Sequence, residues 1–337
     1  MNLHFSERKA LLEIVKSFPR RRVVLLGDLV ADEFIYGEIA RVSREAPVLI
    51  LKQREKQIVP GGGANAANNL AELGAQVTVA GALGADETGE ALLGYFRQKG
   101  ISTRFVLRVG GYQTPTKSRI LGGLTHWQRQ QIVRVDREPA GPLSAHVRRQ
   151  LSQRVKALLP KAAALLVSDY GYGAAGPEEV AALSRGAARG ALPITLDSRY
   201  RLLSYRRVTT ATPNEPEIEE AFGRKIGNNL ELLYTLGRRA LRRMSLEALL
   251  VTRGRDGMVL FEPRQKPRHI PIFGSDQVTD VTGAGDTVIA TYTLALGAGA
   301  SFYQAAQLAN LAGGLVVMKR GTATVTEREL EGAIRNA

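Results

Sequence analysis

The sequence has 337 residues, 44% hydrophobic and 23% charged, which is enough to bury a substantial core and excludes a disordered chain. It contains no cysteine, which excludes a disulfide framework and any thiolate metal site, so a reducing compartment, the cytoplasm, is the expected location. The net charge of +14 is scattered in short groups such as Arg20–Arg22 and Arg242–Arg243, with no basic run interleaved with aromatics. A basic surface around anionic small-molecule ligands is therefore expected, with neither nucleic acid nor membrane as a partner.

The first nine residues, M-N-L-H-F-S-E-R-K, are charged and lack the apolar core of a signal peptide. Residues 6–17 have the spacing of a short amphipathic helix closed by Pro19. V-V-L-L at 23–26 then reads as a buried strand ending in Gly27-Asp28. Strand patterns fill 34–59. P-G-G-G at 60–63 leads into a helix from about Ala64 to Leu73, followed by a strand at 77–80 and a helix over 88–99. Strand periods return over 103–135. From 144 onward helical and buried-strand patterns alternate, with strands expected at 164–168, 193–197, 208–211, 248–252 and 257–261. The last helices are expected at 284–296, 302–318 and 326–335.

Thr287 to Met318 contains no Asp, Glu, Lys or Arg, a length that raises the question of a membrane span. Gly297 and Gly299 interrupt it, and Ser301 with Gln304 reads as a capping box opening a second helix, so two buried helices are expected instead. The alternation as a whole predicts an α/β fold of βαβ units, with a parallel sheet and helices on both faces. The segments 34–59 and 103–135 break that rhythm and are expected to form a small secondary sheet, a lid, inserted in one continuous domain over 1–337.

Several familiar chemistries are missing. No Gly is followed by Lys, so there is no P-loop; the four histidines, His4, His126, His146 and His269, have no metal-ligand spacing; and there is no G-x-S-x-G elbow. What stands out is V-T-D-V-T-G-A-G-D-T at 278–287. Gly283, Ala284 and Gly285 lead directly into a helix, whose first N–H groups lack partners and, with the helix dipole, form an anion site. Asp286 lies in the first helical turn, where the dipole favours its charge. A carboxylate beside an anion hole suits phosphoryl transfer: the amides take charge on the moving group while Asp286 accepts the proton of the attacking hydroxyl. On the loop alone, a plain helix-terminal acid fits as well.

Three further groups are candidates. Gly61–Gly63 remove every Cβ from one surface, and Asn65 follows with an amide able to grip a hydroxyl; a flexible turn with a cap fits the same letters. Asp28 and Asp32 flank the end of the first buried strand, where open α/β sheets bind ligands, or serve as turn residues. Asn214 and Glu217, in T-P-N-E-P-E, share one face of a helical turn and can hold a hydrated Mg²⁺, or cap the helix reciprocally.

Together these pieces resemble the ribokinase-like (PfkB) sugar kinases. The family's early glycine-rich segment appears in Gly61–Asn65, its N-x-x-E in Asn214–Glu217, and its late D-x-x-G-x-G-D in Asp280–Asp286, in the expected order along nearly the whole chain. Within the family the chain is most similar to heptose-7-phosphate kinases, at A-R-V-S-R-E-A-P-V (40–48), Q-Q-I-V-R-V-D (130–136), V-S-D-Y (167–170), V-T-R-G-R-D-G-M (251–258) and D-V-T-G-A-G-D-T-V-I-A-T (280–291). The pattern ends with A-N-L-A-G-G-L-V-V-M-K-R-G-T-A-T-V (309–325), and no nucleotidyltransferase segment is expected within this sequence.

The resemblance implies a three-layer α/β/α fold with a mainly parallel central sheet and a small β-sheet lid. It implies ATP and Mg²⁺ as cofactors, a sugar phosphate as substrate, and a homodimer formed through the lid. By position, Asp286 is the base and Gly283, Ala284 and Gly285 form the anion hole. Asp32, Gly62, Gly63 and Asn65 hold the sugar, with Asp28 and Asp169 nearby. Asn214 and Glu217 face the phosphates, Glu217 reaching Mg²⁺ through water. Thr252, Gly254 and Gly257 lie along ATP, and Asn310 borders the adenine. Asp280 supports a monovalent-cation (K⁺) site. Of the lid arginines Arg119, Arg129 and Arg134, Arg129 is the candidate for a substrate phosphate. A kinase for another sugar (ribose, fructose, ketodeoxygluconate or another phosphosugar) and a non-catalytic sugar- or nucleic-acid-binding protein remain the alternatives.

Overall fold

The structure is a computed structural model that describes residues 3–123, 130–186, 192–274, 281–319 and 323–337. In chain order the strands are β1 (Arg22–Gly27), β2 (Leu29–Val42), β3 (Leu49–Gly61), β4 (Gln76–Gly84), β5 (Ser102–Val109), β6 (Thr116–Gly123), β7 (Gln130–Arg137), β8 (Ala164–Asp169), β9 (Ile194–Ser198), β10 (Thr210–Ala211), β11 (Ala248–Thr252), β12 (Met258–Phe261) and β13 (Arg268–Ile270). The helices are α1 (Phe5–Lys16), α2 (Gly62–Glu72), α3 (Glu87–Gln98), α4 (Ala145–Leu158), α5 (Pro177–Gly186), α6 (Glu215–Phe222), α7 (Leu230–Met244), α8 (Ala284–Gly297), α9 (Phe302–Val317) and α10 (Glu327–Asn336).

The apolar runs V-V-L-L, A-L-L-V-S and A-L-L-V-T become β1, β8 and β11, buried on both faces as strands of a covered parallel sheet must be. They belong to a large sheet ordered β13-β12-β11-β10-β9-β8-β1-β4-β5, parallel from β11 to β5 and finished by the antiparallel pairs β11–β12 and β12–β13. One core, holding Leu11, Leu70, Phe96, Tyr292, Leu308 and Ile334, packs α1, α2, α3, α8, α9 and α10 on one face. A second, with Leu151, Leu183, Ile218 and Leu236, packs α4 to α7 on the other. The result is the ribokinase-like three-layer α/β/α arrangement.

After β1 the sequence neighbours part: β4 lies on one side of it and β8 on the other. A parallel sheet opens a crevice where its order reverses in this way. The chain also leaves the large sheet here, since β1 ends at Gly27 and β2 begins at Leu29. The second sheet, ordered β3-β2-β6-β7, therefore rises from the mouth of that crevice.

The expected lid segment 103–135 is thus split. Its first part, β5, is the parallel edge neighbour of β4 in the large sheet; only β6 and β7 join the small one. An edge strand of a covered sheet shows the same half-exposed alternation as a lid strand, so the pattern does not separate them. Among the described residues no helix is long and apolar enough to cross a membrane. The uncharged stretch after Thr287 forms α8 and α9, and Ser301 and Gln304 make the expected reciprocal cap.

Candidate active site

Helix α8 begins at the crevice. Its N-cap, Gly283, has φ 79°, a left-handed conformation that a Cβ would strain, and no side chain caps the helix. The N–H of Ala284 donates to the Val281 carbonyl at 3.2 Å, whereas those of Gly283 and Gly285 have no backbone acceptor among the described residues. Of the three amides expected to form an anion site, that of Ala284 is thus used within the turn into the helix.

Asp286 is 6% exposed. Asn65 Nδ2 donates to its Oδ2 at 2.8 Å, and the Tyr170 hydroxyl donates to its Oδ1 at 2.9 Å. Burial pushes its pKa up to about 6, against the two donors and Lys117, which lower it; Asp32 adds to the rise. The helix dipole suggested a depressed value, but desolvation of a buried carboxylate outweighs it. At pH 7 Asp286 is still mostly ionised, by roughly ten to one.

Asn65 was expected to grip the sugar, yet its amide donors face Asp286. It belongs to a polar seam between α2 and α8 in which Asn69 Nδ2 donates to the Asn65 carbonyl and the Thr287 hydroxyl donates to Asn69 Oδ1, each at 2.9 Å. Asn65 and Asn69 lie four residues apart, so both face the same helix. The glycines before them make that approach possible. Gly62 has φ 51° beneath the Tyr170 ring, and a Cβ on Gly63 would come within 2.7 Å of the Asp28 carbonyl oxygen.

Two predicted sugar carboxylates have other tasks. Asp28, 2% exposed, accepts N–H groups from Tyr170 (2.8 Å), Tyr172 (2.9 Å) and Ala174 (2.8 Å), so it anchors the loop after β8. Asp169, 1% exposed, accepts from Ser198 Oγ at 2.9 Å, Tyr205 OH at 2.7 Å, Arg201 Nε at 3.1 Å and the Gly171 N–H at 3.1 Å. A carboxylate satisfied in this way has no capacity left for a ligand, and it is a structural tie rather than a sugar contact. Asp32 stays at the crevice beside Gly61, paired with Arg119, whose guanidinium also lies 5.4 Å from the Phe34 ring centroid.

Arg134 is taken up by Asp136, at 2.9 and 3.0 Å. The expected phosphate ligand Arg129 and the expected cation residue Asp280 lie outside the described residues. Lys117 on β6 was not singled out by the sequence. It is partly buried, lies 5.3 Å from the Tyr170 ring centroid, and has no ion-pair partner among the described residues. Desolvation lowers its pKa.

Beyond the anion loop, Asn214 and Glu217 form the reciprocal cap of α6: Asn214 Oδ1 accepts the Glu217 N–H at 2.8 Å and Glu217 Oε2 accepts the Asn214 N–H at 2.9 Å. Burial raises the Glu217 carboxyl to about 7, opposed by Asn214 and Arg199. Asp197, near the end of β9, is raised well above its ordinary value by burial and then by Glu217 and Asp286. Asp197 was missed, though it ends P-I-T-L-D as Asp28 ends V-V-L-L-G-D. Thr252, Gly254, Gly257 and Asn310 line one crevice of about 170 Å³ that also contains Gly285 and Val288. It thus runs from the anion loop to Asn310, whose Nδ2 donates to the Pro271 carbonyl at 2.9 Å. Tyr170 also went unremarked, apart from its place in V-S-D-Y; a tyrosine in a loop has no spacing that marks it.

The profile of the pfkB family of carbohydrate kinases matches residues 21–329. Over 329 residues the chain is 37% identical to the "Bifunctional protein HldE" of Pelobacter propionicus, covering 97% of this chain and 66% of that one. The protein of the same name from Geobacter metallireducens is 38% identical over 312 residues, 92% of this chain and 62% of that one. The chain therefore spans less than two thirds of the length of these curated relatives. Among solved structures, a ribokinase of Arabidopsis thaliana complexed with ribose and ATP superposes with a TM-score of 0.71 at 19% identity, over 94% of this chain and 98% of that one. Phosphofructokinase-2 of Escherichia coli in complex with potassium superposes with a TM-score of 0.74 at 18% identity, over the same shares. At such identities the superpositions speak for the fold, while the family profile and the closer relatives reach the chemistry. The chain belongs to the pfkB family of carbohydrate kinases and is a sugar kinase.

Proposed function

We propose that the protein transfers the γ-phosphoryl group of ATP to the anomeric C1 hydroxyl of D-glycero-D-manno-heptose 7-phosphate, giving the 1,7-bisphosphate and ADP. The observation that carries the reaction is Asp286: a buried carboxylate held by Asn65 and Tyr170 beside the amides of Gly283 and Gly285, which have no backbone acceptor among the described residues. Asp286 accepts the proton of the C1 hydroxyl as its oxygen attacks phosphorus. The amides and the α8 dipole stabilise charge on the phosphoryl oxygens during transfer. ATP lies along the crevice past Thr252, Gly254 and Gly257 toward Asn310.

Two carboxylates whose pKa values are raised chiefly by burial, Asp197 and Glu217, suit a Mg²⁺ ion that keeps several waters. When bound, Mg²⁺ neutralises phosphate charge. The heptose 7-phosphate assignment is supported by the similarity to heptose-7-phosphate kinases and by Lys117 and Arg199. Among the described residues neither has an ion-pair partner; Lys117 lies 5.3 Å from the centroid of the Tyr170 ring beside the base, and Arg199 donates to the Tyr200 hydroxyl at 3.1 Å. An anionic substrate is the natural partner for such cations. The small sheet would close over the sugar and exclude water, and its exposed strands would pair with a second copy.

A coupled assay across sugars and sugar phosphates, with ATP and Mg²⁺, tests the proposal. Heptose 7-phosphate is expected to give the highest kcat/KM. Faster turnover of ribose, fructose or ketodeoxygluconate would reassign the substrate within the same family.

A further inference from the structure

Tyr170 joins four parts of the molecule. Its N–H, with those of Tyr172 and Ala174, is held by Asp28 at the carboxyl end of β1. Its ring packs against Gly62 at the start of α2, where a Cβ would come within 3.1 Å of Tyr170 Cε2. Lys117 of β6 lies over the ring face. Its hydroxyl donates to Asp286 Oδ1 at the start of α8.

A carboxylate offers about four lone-pair sites on two oxygens. Asn65 occupies one on Oδ2 and Tyr170 one on Oδ1, from two different elements, so the plane of the carboxylate is fixed about its Cβ–Cγ bond. One site on each oxygen remains for the sugar hydroxyl. Burial and the neighbouring Asp286 hold the phenol far above its ordinary pKa, so Tyr170 remains a donor and never competes as a base.

We propose that Tyr170 is the positioning residue of the general base, and that Asp28 acts through it by fixing the backbone of 170–174 so that the phenol aims at Asp286. The inference deepens the proposed chemistry and rests on Asp286 as the base. The proton still passes from the sugar hydroxyl to Asp286. Tyr170 keeps its own, and its hydrogen bond decides which lone pair is presented.

The other groups facing this pair are Asp32 from β2, Lys117 from β6 and Asp197 from β9. Glu217 from α6 faces Tyr170. All of them are unchanged in the variants needed for the test.

The test compares Tyr170→Phe, Asp28→Asn and the double variant, using the sugar that the parent turns over fastest. Tyr170→Phe is expected to lower kcat by about tenfold to a hundredfold with KM nearly unchanged, as a misaligned base does. It is also expected to move the acidic limb of the kcat profile upward by roughly half a unit, because a donor to the charged form is gone. Asp28→Asn is expected to lower kcat in the same sense, with the double variant no worse than the poorer single one. An unmoved acidic limb with kcat within twofold of the parent, or losses that multiply, would overturn the proposal.

A second readout needs no turnover and uses only Tyr170→Phe, so it survives a failure of Asp28→Asn to fold. The ¹³C-carboxylate signal of Asp286, identified by its loss in Asp286→Asn, is titrated in the free protein. An upward shift of its midpoint in Tyr170→Phe is expected, and an unchanged midpoint sinks the idea. A shifted midpoint in a protein that phosphorylates no sugar tested would leave the positioning intact and overturn the substrate assignment instead.

Discussion

Strand β8 of the large sheet is buried at all 6 of its positions, while β7 of the small sheet is exposed at all 8 of its own. The first is covered by helices on both faces, and the residues at its carboxyl end are locked: Asp169 is satisfied by four neighbours, and the loop beyond it is pinned to Asp28. The second presents Ile132, Val133 and Val135, and the β2–β3 end adds Val42, Val48 and Leu49, all exposed. The contrast separates two requirements of a kinase. The proposed base and anion loop need geometry that does not move, and they sit at the rim of the covered sheet. The proposed closure over a substrate needs a surface that can leave and return, and the exposed small sheet is the candidate for it.

Each of the following experiments strains one side of that contrast. Asp286→Asn should lower kcat on the order of 10²–10⁴-fold in a coupled assay, while leaving the melting temperature close to that of the parent. Near-normal turnover would move the chemistry off the rigid rim. In the parent, kcat/KM should fall as pH drops through about 6, because the raised Asp286 carboxyl takes up its proton there and a protonated base accepts none. Asp169→Ala should cost about 3–5 kcal/mol of unfolding free energy in urea, since Arg201 loses its partner and Ser198 and Tyr205 lose theirs. A loss below about 1 kcal/mol would mean that the tie is dispensable.

Lys117→Ala should raise KM for a phosphorylated sugar by about tenfold, near 1.4 kcal/mol, and change KM for the unphosphorylated sugar much less. Equal effects on both would deny Lys117 a part in reading the phosphate. The smallest effect is expected on the small sheet's outer surface. Val133→Glu should change unfolding free energy by no more than about 0.5 kcal/mol. It should nevertheless convert a dimer to monomer in sedimentation, and an unchanged sedimentation coefficient would remove this face from any interface.

Much of the covered sheet was legible. The runs that became β1, β8 and β11 are continuous and apolar, and Ser301 with Gln304 announced the break between α8 and α9. The strand β5 was assigned to the wrong sheet because its alternation is that of any half-covered strand, and β13 is only 3 residues long. At the site, glycines and helix starts singled out Asp286 and Asn65 in the sequence, but not that the Asn65 amide would donate to Asp286. The tasks of Asp28 and Asp169 were not. Whether a strand-end carboxylate faces a ligand or a backbone depends on which loop arrives beside it, and for Asp28 that loop lies more than 140 residues away. Tyr170 was invisible for the same reason: its meaning is a contact with Asp286, 116 residues later.

The reciprocal cap of Asn214 and Glu217 has a consequence for anyone who sorts variants of this protein. Asn214, which starts α6, also bridges to Thr252 of the crevice lining, and Glu217 is a proposed partner of Mg²⁺. Glu217→Gln keeps an amide oxygen to accept the Asn214 N–H, so the helix still has its cap, but the charge that would attract a divalent cation is gone. A library screened for folded, soluble protein would retain this variant as harmless, and one screened for sugar phosphate turnover would discard it.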